Sequence, residues 1–188
     1  SAYLGSVGKA LSLATGFGLN ALKSHTTGNN NAALGENALY STANGYRNTA
    51  VGGGGTLYNN VSGFNNSAVG SLALYESTGH YNSALGSYAG YSLTTGDYST
   101  FLGHGAGNNA SQLVGATNST AVGALAYTTA HHQIVLGNAN VTAVLTSGAL
   151  TVPSGHATND WQMGSATVDT NITVNGVSQI TRLGLGTA

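Results

Sequence analysis

One short phrase recurs through most of this chain, and its period limits the folds that the chain can adopt. The phrase reads Gly, two variable residues, Asn, Ser or Thr, Ala, an aliphatic residue and a closing Gly. Five copies align without a gap: TGNNNAALG at 27–35, NGYRNTAVG at 44–52, SGFNNSAVG at 62–70, TGHYNSALG at 78–86 and TGDYSTFLG at 95–103. Degenerate copies close at Gly18, Gly123 and Gly137. The closing glycines of the clear copies are 16 to 18 residues apart.

A second phrase, which ends in tyrosine, lies a few residues after the closing glycines. Its copies are NALY at 37–40, GTLY at 55–58, LALY at 72–75, YAGY at 88–91 and ALAY at 124–127. A period this short cannot hold the helix pair of a helical solenoid, which needs roughly 33 residues or more. It fits one coil of a β-solenoid with two short strands, each closed by a glycine turn where φ can be positive. We therefore predict an all-β fold, a β-solenoid of about 17-residue coils.

Alternation along the first strand predicts which side chains face the interior of the coil. We expect the aliphatic residue before the closing glycine to point inward. This row comprises Leu34, Val51, Val69, Leu85, Leu102, Val122 and Leu136. The preceding row then points outward, as a plain solvated surface or, the favoured interpretation, as a face that another chain approaches closely. That row comprises Ala33, Ala50, Ala68 and Ala84, and Phe101 and Val135 replace the small residue in two later copies, where we expect the packing to change.

A single column of such coils looks too thin to be stable alone. Each coil buries little more than an aliphatic residue, a Leu and part of a Tyr, whereas ordering one residue costs roughly 1–2 kcal/mol of backbone entropy. Packing several columns together would supply the missing burial, as oligomerisation does for other scaffolds with small cores.

Stacked coils also align identical polar side chains into columns. We expect the asparagine amides to hydrogen-bond from coil to coil and to act structurally, together with the closing glycines. These residues are Asn31, Asn48, Asn66 and Asn82, with Gly35, Gly52, Gly70, Gly86 and Gly103. A tyrosine column offers apolar rings and hydroxyls, which suit burial against a neighbouring chain, the favoured role, or sugar binding. It comprises Tyr40, Tyr58, Tyr75 and Tyr91.

The alternation of NSAVG or NTAVG with ALY resembles the head repeat of the YadA-type trimeric adhesins. It resembles more closely the related repeats of phage tail fibres and of fibre-like adhesive trimers on bacterial surfaces. The resemblance covers roughly residues 15–137, although the repeat here is longer than that of the adhesin heads. It implies a left-handed parallel β-roll in which three chains pack around a threefold axis, and therefore a homotrimer.

The period ends after Gly137, which divides the chain into a lead-in at 1–14, a repeat shaft at 15–137 and a C-terminal segment at 138–188. That segment contains alternating stretches and an Asn-Gly pair at 175–176, a strong hairpin signal. We expect it to be a transition followed by a small β cap, which would protect the last open edge of the solenoid.

In tail fibres of the resembling family the C-terminal end faces the host. The cap is therefore interpreted either as purely structural or also as a binding tip. In the second case the candidate receptor contacts are Trp161, His156 and Arg182.

The composition leaves few groups for catalysis or for recognition of charge. Only 5% of the residues are charged, with 4 Lys and Arg in total, whereas an ordinary domain carries roughly 25%. The surface must therefore consist of amides, hydroxyls and glycine, which argues against a typical enzyme. With so few basic residues we expect no nucleic-acid partner. No apolar run approaches the roughly 20 residues that span a bilayer, so we expect no membrane insertion.

Two local groups are candidates for chemistry. Glu36 and Glu76 fall in roughly comparable loop positions, about 10 Å apart at ~4.8 Å per coil, which loosely fits an inverting glycosidase pair. Solvated loop acids are the commoner explanation. The doublet His131-His132 would be presented three times in a threefold fibre, enough to bind a metal, although loop histidines are favoured. The GGGG run at 52–55 lacks the Lys-Ser or Lys-Thr of a phosphate loop. We expect no enzyme activity, no cofactor and no bound metal.

The sequence thus favours a structural and binding protein. We expect a fibre segment, extracellular or on a virion surface, that attaches to a cell-surface glycan or protein receptor and joins other fibre or tail proteins at its N-terminal side. Because residue 1 is Ser, we also expect a processed product or a fragment. One alternative is an ice-binding solenoid, although the repeated Thr and Ser at Thr26, Ser77 and Thr94 are placed at turns. The other is an amyloid-like matrix subunit, which the low charge permits.

Overall fold

The fold is a parallel β-solenoid, seen in a computed structural model that describes residues 13–141. These residues all belong to the first of two units into which the chain divides, Ser1–Leu145. Eight three-residue strands follow one another: β1 Thr15–Phe17, β2 Ala32–Leu34, β3 Thr49–Val51, β4 Ser67–Val69, β5 Ser83–Leu85, β6 Thr100–Leu102, β7 Thr120–Val122 and β8 Ile134–Leu136. They pair in parallel, in chain order, to form one sheet. The prediction of an all-β solenoid with coils of about 17 residues is therefore confirmed, and residues 13–141 contain no helix.

Each coil contributes one strand, so the predicted second strand is wrong. The NALY phrase and its equivalents form turns, in which φ is 56° at Asn37 and 51° at Leu39. A backbone that enters the left-handed region at every second residue cannot be extended. The coils are still joined here, since the Leu39 N–H donates to the Thr56 carbonyl and the Ser41 N–H to the Tyr58 carbonyl, both at 3.0 Å.

The strand side chains face the opposite way from the prediction. The row Ala33, Ala50, Ala68 and Ala84 is buried, at most 4% exposed. The aliphatic row faces out, with Leu34 49%, Leu85 52% and Leu102 42% exposed. The reason is space, because leucines of the turn phrase already fill the interior opposite the strand. At Gly16, which takes the alanine position in β1, an added Cβ would lie 3.1 Å from Leu22 Cδ1. Little more than a methyl group fits there.

Phe101 shows how the interior accommodates one large side chain. It takes the alanine position in β6, pairs in register with Ala84 and is fully buried. The leucine position of the adjoining turn phrases is glycine in both coils, at Gly90 and Gly107. A Cβ on Gly107 would overlap the Phe101 ring, and one on Gly90 would lie 3.0 Å from Phe101 Cδ2. The absence of two leucines makes room for one phenylalanine.

Glycine is required where the coils approach each other most closely. The closing glycines from Gly18 to Gly123 have φ between 116° and 143°, a region that side chains strongly disfavour. They also stack on one another, and a Cβ on Gly86 would lie 2.6 Å from the Gly103 carbonyl oxygen. At the other end of the strand, a Cβ on Gly45 would lie 2.5 Å from the Gly63 oxygen.

Gly86→Ala is expected to destabilise the fold by about 3 kcal/mol or more, because the methyl group meets main-chain atoms that cannot move aside and φ becomes strained. Urea unfolding followed by circular dichroism measures the effect. Gly53→Ala is the matched control. An added Cβ at Gly53 has open space, so that change should stay within about 0.5 kcal/mol. Equal effects of the two changes would show that the coils are not as closely stacked as described.

Candidate functional site

Four asparagines form a buried column at the start of the strands, and they carry the main polar network of the interior. Asn31, Asn48, Asn66 and Asn82 are at most 2% exposed. The Oδ1 atom of Asn48 accepts the Asn66 N–H at 3.0 Å, and that of Asn66 accepts the Asn82 N–H at 2.9 Å. The Asn66 Nδ2 donates to the Gly79 carbonyl at 2.8 Å. Each amide thereby joins a strand of one coil to the turn of the next.

The outer face of the sheet carries two continuous columns, formed by the first and third residue of each strand. The first column is mostly hydroxylic: Thr15, Ala32, Thr49, Ser67, Ser83, Thr100, Thr120 and Ile134. The third-residue column, termed here the aliphatic column, comprises Phe17, Leu34, Val51, Val69, Leu85, Leu102, Val122 and Leu136. None of these residues is charged. Seven steps of ~4.8 Å make the face about 34 Å long.

The hydroxylic column changes one premise of the sequence analysis. Thr26, Ser77 and Thr94 lie outside the strands, whereas a second set, Thr49, Ser67, Ser83 and Thr100, lies on the strands with exposed side chains. Hydroxyl and aliphatic side chains thus alternate across the outer face of the sheet. Val69, Leu85 and Leu102 line a shallow apolar depression there together with the neighbouring serines and Thr100.

The tyrosine column is a stack of rings within one chain. Successive ring centroids of Tyr40, Tyr58, Tyr75 and Tyr91 are 4.7, 5.1 and 5.3 Å apart, with interplanar angles of at most 16°. The Lys23 Nζ lies 5.1 Å from the Tyr40 centroid, at the N-terminal end of the stack. Each ring therefore contacts its neighbours with its faces and leaves an edge for other partners. All four side chains are half-buried.

A second group of aromatic rings lies where the chain enters the strands, and the sequence analysis missed it. The Tyr46 and Phe64 rings stack at 4.7 Å, Phe64 and the His80 imidazole at 4.0 Å, and Tyr81 and Tyr98 at 4.7 Å. The signal was present in the two variable positions of the repeat, which are aromatic in consecutive copies. The repeat rule describes these positions only as variable.

The two acids considered for glycosidase chemistry do not share a position in the coil. Glu36 directly follows the closing Gly35, whereas Glu76 follows Tyr75 in the turn phrase. The Glu76 Oε2 accepts a hydrogen bond from Asn59 Nδ2 at 2.9 Å. The expectation of comparable loop positions is therefore wrong, and the carboxylate pair has no structural basis in this region.

The histidine doublet lies on the outside of the last coil. The His131 Nδ1 accepts the Thr117 N–H at 3.1 Å, and the His132 Nδ1 is 3.1 Å from Asn118 Nδ2. Both imidazoles are exposed rather than inward. Within residues 13–141, no three side chains of His, Asp or Glu come together in a way that could hold a metal ion.

Comparison of the chain with known protein families, with curated proteins and with solved structures gives no match in any of the three. In the part of the chain that the structure describes, no helix has the length and apolar character needed to cross a membrane. The predicted tip contacts Trp161, His156 and Arg182 lie outside the described residues, as does nearly all of the predicted cap at 138–188.

Asn66→Ala is expected to cost about 3–5 kcal/mol of folding free energy, because the Gly79 carbonyl and the Asn82 N–H lose their partner inside the coil. Unfolding in urea, followed by circular dichroism, measures it. Asn29→Ala is the control. Asn29 lies in the copy of the repeat at 27–35, two copies before that of Asn66, and its side chain is exposed, so its removal should change stability by less than about 0.5 kcal/mol. A tolerated Asn66→Ala would contradict the role assigned to the buried amides.

Proposed function

We propose that the chain is a structural and adhesive segment of a homotrimeric fibre, extracellular or on a virion surface, that attaches to a cell-surface receptor. The observation that carries the proposal is the aliphatic column, a line of uncharged and largely exposed side chains on a sheet about 34 Å long. Monomeric proteins rarely leave a continuous apolar strip of this length uncovered, and such strips mark interaction sites.

Burial of this column favours association of identical chains. Side chains such as Leu34 and Leu85 are about half exposed, so covering each one contributes on the order of 1 kcal/mol. The contributions accumulate over eight strands, against an association cost of roughly 4–15 kcal/mol. Parallel copies around an axis would place like residues at the same height, as closed symmetry requires. The threefold count and the left-handed winding rest on the resemblance of the repeat to trimeric fibres.

The other parts of the proposal follow from the same arrangement. The proposal includes the segment at 138–188 as a C-terminal cap and receptor-facing tip, and other fibre or tail proteins at the N-terminal side. A trimer presents every surface site three times, so weak sites give useful avidity. The protein acts by binding, without a cofactor and without catalysis. The separation of Glu36 and Glu76 into different parts of the coil supports this view.

Ice binding is a second candidate, and it uses the same face. The observation that favours it is the hydroxylic column, in which Thr49, Ser67, Ser83 and Thr100 alternate across the sheet with aliphatic side chains. This surface is regular and lacks charge. The two functions exclude each other on this face, because assembly of the trimer would cover it.

Leu85→Lys is expected to separate the assembled chains, because a charge would be buried in the middle of the aliphatic column. Sedimentation velocity should show a fall to the monomer, with circular dichroism unchanged. Val61→Lys is the control, since Val61 is similarly exposed at 48% but lies outside the strands, and this variant should assemble like the unmodified chain.

Assembly that survives Leu85→Lys would contradict the proposed interface. A chain that is monomeric before any substitution would contradict the fibre proposal and favour the ice-binding candidate. Thermal hysteresis that is lost in Leu85→Lys would then support that second function.

A further inference from the structure

We infer that a carbohydrate-binding site lies on the flank of the solenoid, around the Tyr98 ring. The site comprises Tyr81, Tyr98, Asp97 and Asn118, and its ligand is a neutral pyranose. The inference rests on the proposed function, in that it names the ligand class of the receptor and places contact on the shaft as well as at the tip.

The two variable positions of the repeat form one corner of the coil. The closing glycines recur in every coil and the strands repeat similar residue types, whereas the pair of residues at these two positions differs in every coil. Their pairs are Asn29-Asn30, Tyr46-Arg47, Phe64-Asn65, His80-Tyr81, Asp97-Tyr98, Thr117-Asn118 and His131-His132. Stacking of the coils therefore does not dictate which residues stand here, and this corner is where one coil differs from another.

The backbone at this corner turns the second residue of each pair outward. Its φ lies between 50° and 58° in all seven coils. Asn tolerates this left-handed conformation, whereas a tyrosine is held there at a cost of order 1 kcal/mol. Tyr81 and Tyr98 nevertheless occupy it in adjacent coils and are 42% and 58% exposed. The same φ recurs at structural residues such as Leu39, so it comes from the coil itself. The exposure of two neighbouring aromatic rings is the feature that is typical of a binding surface.

The two tyrosines form a short platform with one free end. Their rings are 4.7 Å apart and within 5° of parallel, and the Phe64 and Tyr81 rings meet nearly at right angles with centroids 5.2 Å apart. In the described part of the chain no ring stacks on the other face of Tyr98. The next residue of this column is Asn118 rather than an aromatic residue. Asn118 takes the equivalent position one coil on but is shorter than a tyrosine, and Tyr98 is 58% exposed, so the outer part of the ring is available to a flat apolar ligand surface.

Two polar residues neighbour Tyr98: Asp97 precedes it in the chain, and Asn118 takes its position in the next coil. The Asp97 Oδ1 accepts the His80 N–H at 2.7 Å, which fixes the carboxylate while Oδ2 stays free of protein partners within residues 13–141. The Asn118 N–H donates to the Asp97 carbonyl at 2.9 Å, which places Asn118 one coil further along. Its Nδ2 lies 3.1 Å from His132 Nδ1, so that its Oδ1 points elsewhere as an acceptor.

This combination matches the chemistry of a sugar ring. A pyranose presents a flat face of C–H groups that packs on an aromatic ring, and hydroxyls around its edge that pair with carboxylate and amide oxygens. In the coils of Tyr81 and Tyr98 this corner has one acid and no Lys or Arg, which disfavours phosphate and nucleic acid. A neutral hexose with adjacent C–H groups on one face, of glucose or galactose configuration, is the ligand that fits.

The test begins with saturation-transfer NMR on the intact protein with methyl β-glucoside and methyl β-galactoside, followed by a printed array of neutral oligosaccharides. We expect a dissociation constant on the order of 1 mM for a single ring, with saturation strongest at the C–H protons of one sugar face. Tyr98→Ala should weaken binding at least tenfold, and Asp97→Asn, which keeps the acceptor for His80, severalfold. Tyr91→Ala removes the terminal ring of the tyrosine column and should leave binding unchanged.

The outcomes distinguish a failure of the glycan-site inference from a failure of the fibre proposal. An assembled trimer that binds no neutral glycan overturns the inference and leaves the fibre proposal standing. Glycan binding that survives Tyr98→Ala, or that Tyr91→Ala abolishes instead, overturns the assigned site. A receptor shown to be a protein that docks on Tyr98 overturns the ligand class. A monomeric chain whose glycan binding depends on Tyr98 supports the site and contradicts the trimer.

Discussion

The axial spacing between successive coils is the constraint on which the rest of the structure depends. Main-chain hydrogen bonds of about 2.8 Å join each strand to the next, and they fix a step of ~4.8 Å. At this distance every side chain lies on its counterpart one coil away, so each position must tolerate stacking on itself. Glycine tolerates this stacking where main chains touch. Asparagine tolerates it where a buried donor and acceptor are needed, and tyrosine does so where flat rings can overlap.

A second consequence is that the solenoid can bury only one side of its sheet. The interior holds mainly alanine, asparagine and leucine side chains. It has little spare volume, since Phe101 fits only because glycine replaces leucine in the two adjoining turn phrases. The aliphatic column therefore remains outside, where nothing in the same coil can cover it. The proposed function rests on this exposed column, which offers a surface for contact with other molecules along the described coils.

The period, the parallel sheet and the place of each strand could be predicted from the sequence, because glycine and asparagine recur in register. The direction of the strand side chains could not be settled by alternation alone, which defines two faces without saying which is inside. Asn31 and Ala33 are two residues apart and so share a face. Treating the amide ladder as buried would have placed the alanines inside as well. The prediction of a second strand is wrong because composition does not show that leucines such as Leu39 adopt a left-handed φ.

The most direct test of the account is the absolute mass of the unmodified chain in solution, by light scattering on an eluting size-exclusion peak. A discrete species of about 56 kDa, three times the 18.7 kDa of one chain, is the predicted result. A clean monomer would contradict the claim that the exposed aliphatic face joins identical chains. Heavy, polydisperse material would contradict the closed trimer, in favour of a polymerising matrix subunit.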